Sequence, residues 1–168
     1  MTVAELVTDG FDRIRQVVHG AVRGLTEDQL ARRLDAEANS IAWLVWHLTR
    51  VQDDHLADLE GAEQVWTSQG WHERFGLTLD PADTGYGHSA AQVASVRVAA
   101  DLLTGYHDAV HAQTVAWLSG LEEPQLDRIV DENWDPPVSL GVRLVSVLSD
   151  DLQHAGQAAL IRGILLRG

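Results

Sequence analysis

The chain has 168 residues with 25 Asp and Glu against 12 Arg and no Lys, a formal net charge of −13 that argues against nucleic acid or an anionic membrane surface as partner and a length that suits one domain, residues 1–168. There is no Cys, so disulfides, thiolate metal sites and a cysteine nucleophile are excluded, and any thiol chemistry needs a thiol from outside. The N-terminus, MTVAELVTDGFDRIRQ, lacks the apolar core of a signal peptide and no run reaches membrane-spanning length, which makes the cytoplasm the expected location.

Residues 3–22 carry Val7, Phe11, Ile14, Val18 and Ala21 at steps of four and three, which places all of them on one face of a first helix. His19 falls near its end and reads as a surface imidazole. After Gly24, Thr26 is a suitable N-cap for a brief helix in TEDQLARRL.

A second long helix is predicted from Asn39 or Ser40 to about Glu60, with Gly61 as its stop. Within NSIAWLVWHLTRVQDDHLADLEG, one stripe holds Ile41, Leu44, Leu48, Val51 and His55, and an overlapping one holds Leu44, His47, Val51 and Asp54. Both histidines can face inward. They cannot share one ion, because eight residues separate them by about 12 Å along the axis, against a His–metal distance of roughly 2 Å. One of the two therefore has another role.

Residues 61–88 have no regular period, yet Trp66, Trp71, Phe75 and Tyr86 would be wasted on a solvated chain, so an ordered loop covering a binding site is expected. Arg74 is a candidate to hold a carboxylate of a ligand, or else pairs with an acidic neighbour. His72 and His88 read as polar loop residues.

Ser89 is predicted to cap a third long helix running to about Leu118 and closed by Gly120, with Val96, Ala100, Leu103, His107, Val110 and Thr114 on one face. His107 and His111, four apart, are a rival metal-chelating pair that lacks a local carboxylate, and the stretch from Thr104 to His111 can line the same cavity as His47. Residues 121–138 read as a connection with one helical turn and an extended Asp135-Pro136-Pro137 run, with Trp134 packing back on the bundle.

The fourth helix starts near Ser139. On it Asp150 and His154 stack on one face, about 6 Å apart along the axis. Apolar Val147, Ala158, Ile161 and Leu165 continue much the same stripe, so the pair is expected to face the core, where a buried acid and imidazole need a partner such as a metal ion. Four long amphipathic segments with no alternating strand pattern predict an all-α four-helix bundle with a long loop between helices two and three.

A histidine inside WLVWHL in the second helix, an acidic residue four before His-Ala-Gly-Gln in the fourth, and four helices with a long middle loop resemble the DinB/YfiT-like family of metalloenzymes over essentially the whole chain. Within that family the pattern is similar to mycothiol-dependent S-transferases and to the N-terminal domain of mycothiol-dependent maleylpyruvate isomerase. The isomerase carries a further domain that this chain is too short to contain, which argues against the same substrate.

The resemblance implies that His47, Asp150 and His154 bind one divalent metal. Many members have His or Glu in place of Asp150, and Asp151, about 100° around the helix, is the competing carboxylate. Two imidazoles and one carboxylate leave coordination positions open and suit Zn, Ni, Fe(II) or Mn. The implied activity is a mycothiol-type S-transferase with a low-molecular-weight thiol and a small-molecule electrophile as partners. Gln157 and Asp54 are candidates to orient a ligand or bound water. Two other readings use the same residues: a non-catalytic metal- or ligand-binding bundle of stress-response type, and a metal-dependent hydrolase. Six tryptophans in a small protein also raise the prospect of a homodimer.

Overall fold

The computed structural model describes residues 1–167. In chain order the elements are α1 (Val3–Val22), α2 (Glu27–Leu30), α3 (Ile41–Glu60), α4 (Val65–Ser68), α5 (Trp71–Phe75), α6 (Ala90–Ser95), α7 (Ala100–Leu118), a 3-10 turn at Glu123–Asp127, strands β1 (Ile129–Asp131) and β2 (Val138–Ser139), and α8 (Leu140–Leu165). The four long helices form the bundle. α8 and α7 each pack on both α1 and α3, so α1 lies diagonally across from α3.

The helix starts follow from local chemistry. Side chains of Thr2, Thr26, Ser40, Ser89 and Ser139 each accept a hydrogen bond from a backbone N–H in the first turn of the helix they cap. Gly61, at φ 70°, supplies the left-handed residue that ends α3. Phe11, Ile14, Leu44, Leu48, Leu103, Leu144 and Val147 are buried in the core between these helices.

The expected third helix is corrected: it is interrupted. α6 ends at Ser95, residues 96–99 are non-helical, and α7 begins at Ala100. Val96 and Val98 are buried while Arg97 between them is exposed, the alternation of an extended segment with stiff β-branched side chains. A short antiparallel ladder between β1 and β2, absent from the sequence expectation, precedes α8.

The stretch between α3 and α6 is ordered by aromatic burial. Trp66 packs with its ring centroid 4.9 Å from Tyr106 and 5.0 Å from Phe75. Two expectations for aromatic residues fail. Tyr86 is 94% exposed and Trp134 is 65% exposed, so neither packs on the bundle. Among the described residues no helix is long and apolar enough to cross a membrane.

Candidate metal centre

His47 sits in the middle of α3, one turn after Trp43. Its imidazole lies flat on the Trp43 indole, with centroids 4.5 Å apart and planes at 16°. Its Nδ1–H donates to the Thr84 carbonyl at 2.5 Å. A carbonyl oxygen only accepts, so Nδ1 carries the hydrogen, and Nε2 of the neutral ring keeps its lone pair.

His154 reaches the same place from α8. Its Nδ1 donates to Gln157 Oε1 at 2.9 Å, and its Nε2 lies 3.6 Å from Asp150 Oδ1, an ion-pair separation rather than a hydrogen bond. The His47 and His154 rings stand edge to face at 4.9 Å. Asp150 Oδ2 is buried with no hydrogen-bond partner.

One ligand atom from each of His47, Asp150 and His154 lies within 4.8 Å of the other two, a grouping that could hold one metal ion. The electrostatics suit a cation. Burial pushes the His47 imidazole below its usual value, which keeps it neutral and able to ligate. The neighbouring His154 imidazole holds the Asp150 carboxyl below the usual carboxylate range, and Asp150 in turn raises His154.

The two carboxylates on α8 differ sharply. Asp150 was expected to face the core, but its side chain is 38% exposed. The buried line of α8 runs through Leu144, Val147, Asp151, Ala155 and Ala158, so Asp150 and His154 stand on its flank toward α3. Asp151 is fully buried, both its oxygens lack partners, and burial pushes its carboxyl well above the usual range. It is not among the three grouped residues.

The other candidates fall elsewhere. Asp54 accepts from Gln64 Nε2 at 2.7 Å, which engages it with the loop after α3 rather than with a ligand imidazole. Arg74 lies over the Trp71 ring at 4.5 Å to the centroid on an exposed face of α5. His107 is fully buried with neither ring nitrogen paired, and the charges that act on it are His111, Asp108, His19 and Arg15, on α1 and α7. His111 Nε2 is engaged with Asp12 Oδ1 at 2.8 Å. His107 thus stands among charges of α1 and α7, and the His111 nitrogen of the expected chelating pair is engaged with Asp12. His55, half-buried two turns beyond His47, also stands outside the group.

Several residues around the group carried no signal in the sequence reading. Thr84 contributes only a backbone oxygen. His88, expected as a polar loop residue, accepts from Trp43 Nε1 at 3.1 Å and has a side chain only 3% exposed. Its spacing from a glycine pair, Gly85 and Gly87, is the one cue that the chain turns tightly there.

A family model described as mycothiol S-transferase matches residues 6–166. Among solved structures, the crystal structure of a conserved protein from Enterococcus faecalis matches with a TM-score of 0.93 at 31% sequence identity, over 100% of this chain and 99% of that one. No curated protein matches the chain.

Proposed function

The chain belongs to the mycothiol S-transferase family, and from that premise we propose that it transfers the sulfur of a mycothiol-type thiol to a small electrophile, in a reaction that depends on a divalent metal held by His47, Asp150 and His154. The observation that carries this reading is the convergence of three ligand atoms within 4.8 Å while both imidazole Nδ1–H groups are spent on partners outside the cluster. The unpaired, buried Asp150 Oδ2 fits the same group, since a buried carboxylate oxygen left bare is costly and a cation satisfies it. The neutral-imidazole and carboxylate donor set suits Zn, Ni, Fe(II) or Mn.

When bound, such an ion supplies the positive charge that favours ionisation of a coordinated thiol near neutral pH. The chain's own residues do the rest. Thr84 and Gln157 fix the orientation of the two imidazoles, so their Nε2 atoms are presented without rotamer searching. Trp43 walls one side, stacked on His47 and edge-on to His154 at 6.3 Å. The partly exposed Asp150 leaves a route by which the thiol proton departs to solvent. As the carbon–sulfur bond forms, the electrophile's leaving group departs with its electron pair, or a conjugated acceptor takes a proton from solvent.

A cytoplasmic location belongs to the same reading, because a free thiol cosubstrate persists in a reducing compartment. So does a homodimer, although not through tryptophan. Trp43, Trp46, Trp66 and Trp71 are buried, whereas Val142, Val145, Leu152 and Leu160 are exposed along the outer face of α8. Sedimentation of the wild type beside Val145→Lys/Leu152→Lys tests it, a monomer in both cases being the contrary result.

The deciding experiment is thiol-dependent consumption of a chlorinated dinitrobenzene by metal-loaded protein, compared with folded His154→Ala. Conjugate formed by the first and not the second supports transfer. Ion binding without thiol-dependent turnover identifies a binding bundle instead, and ester cleavage without thiol identifies a hydrolase.

A further inference from the structure

Arg50 is a fully buried cation in α3, three residues beyond His47. Much of its environment serves to keep a charge out of water. Nη1 donates to Gln64 Oε1 at 2.6 Å and to the Tyr106 hydroxyl at 3.3 Å, and the guanidinium lies 5.1 Å from the Trp66 ring centre. Asp53 Oδ2 stands 3.7 Å away and itself accepts from the Tyr106 hydroxyl and the Trp66 backbone N–H.

Two further donors go where charge balance does not require them. Nε donates to the Asp83 carbonyl at 3.1 Å and Nη2 to the Pro81 carbonyl at 3.3 Å. These carbonyls belong to the backbone immediately before Thr84, whose own carbonyl receives Nδ1–H of His47. The planar guanidinium fork thus catches the chain on the approach to the residue that orients a metal ligand.

The same segment is fitted against His47 from its other side. Gly85 has φ +97°, and a Cβ there would lie 2.7 Å from His47 Nδ1 and 3.1 Å from atoms of the Trp43 and Trp46 rings. Only glycine allows the backbone this close and in this conformation. Beyond it, His88 stacks on Trp46 with centroids 5.6 Å apart and accepts from the Trp43 indole N–H. Residues 81–88 are therefore a strap fastened at both ends across His47.

We propose that Arg50 is a positioning residue for His47: through the Pro81 and Asp83 carbonyls it holds the strap so that Thr84 selects the Nδ1–H tautomer and presents Nε2 to the ion. The proposal rests on His47 being a metal ligand, and it is tested by two readouts that separate it from that premise. The first is the imidazole 15N chemical shifts of His47 in metal-free protein, assigned by their loss in His47→Gln. The second is Zn affinity by competition with a chromophoric chelator.

Wild type should show a single Nδ1–H tautomer. Arg50→Lys, which retains charge but cannot fork between two carbonyls, should show mixed tautomers and Zn binding weakened by about 10- to 100-fold. Gly85→Ala keeps the Arg50 side chain but displaces the strap at His47, and should do the same, which tests the strap's hold on His47 if Arg50 variants fail to fold. Val18→Ala, a core truncation on the diagonal helix α1, should lower stability without moving either readout. An unchanged tautomer and Zn affinity in both folded strap variants would overturn the proposal. If the tautomer shifts but wild type binds no Zn, the positioning stands and the metal reading fails.

Discussion

His47 of α3 and His154 of α8 stand with ring centroids 4.9 Å apart and planes at 71°, each with Nδ1 committed to an acceptor outside the pair. With each Nδ1 engaged elsewhere, both Nε2 atoms are left beside the Asp150 carboxylate as donors for one cation, which displaces the proton that Asp150 favours on His154. Removing either imidazole should weaken metal binding by more than about 100-fold, beyond what loss of a supporting residue costs. Elemental analysis of tag-free protein after dialysis checks this: near-stoichiometric metal in wild type and almost none in His47→Ala or His154→Ala. Metal retained by both variants would mean that the ion sits elsewhere.

Asp150 and Asp151 are adjacent in sequence and opposite in consequence. Asp150 faces His154 and Asp151 is sealed in the core without a partner. Asp150→Asn should weaken the metal site while leaving the thermal midpoint close to wild type. Asp151→Asn should keep metal stoichiometric, and because it removes an ionisable group from a site that cannot solvate it, stability should hold or rise by about 1 kcal/mol. Metal analysis and thermal unfolding on the two proteins distinguish the roles; the reverse pattern would reassign the acidic ligand to Asp151.

Gly105 in α7 faces Trp71, and a Cβ there would come within 2.8 Å of the indole ring. Helix propensity alone favours alanine over glycine by about 1 kcal/mol. The ring is a rigid, buried wall packed on Tyr106, so overpacking at a cost of about 1–3 kcal/mol should win. Gly105→Ala is therefore expected to unfold at lower urea than wild type. A stabilised variant would show that α5 moves aside freely.

The bundle was readable where local chemistry and periodicity agree: Ser40 and Gly61 bracket α3, and Thr2 and Ser139 start α1 and α8 at the expected positions. It misled where the two periods coincide. Val96 lies four before Ala100 and so fits a helical stripe, yet Val96 and Val98 alternate about Arg97 as an extended segment does. On α8 the expected apolar residues Val147, Ala158 and Ile161 do form the buried line, but Asp150 and His154 stand one residue off it, where Asp151 and Ala155 lie, an offset of about 100° around the helix. For the site, His47 and the Asp150/His154 pair were legible on separate helices, and only a resemblance linked them. The strap left almost no trace, because Thr84, Asp83 and Pro81 act through backbone carbonyls, which every residue has.

His107 supplies a pH dependence of known sign. It is completely buried, neither ring nitrogen has a partner, and burial lowers its pKa to about 3. Asp108 pulls it upward, while His111 on its own helix and His19 and Arg15 on α1 push it further down. In the unfolded chain the imidazole returns to about 6.5. Between those values the unfolded state binds the extra proton, so stability falls as pH drops below 6.5 and the loss is complete below about 3. By pH 5 the loss amounts to about 2 kcal/mol relative to pH 7. His107→Leu, close in volume and without polar atoms, should be more stable at pH 7 by about 1–3 kcal/mol. Urea unfolding at pH 7 and pH 5 should then show wild type losing about 2 kcal/mol more than the variant. Equal losses in the two proteins would mean that His107 takes up its proton in the folded state, with a partner supplied by the cluster on α1.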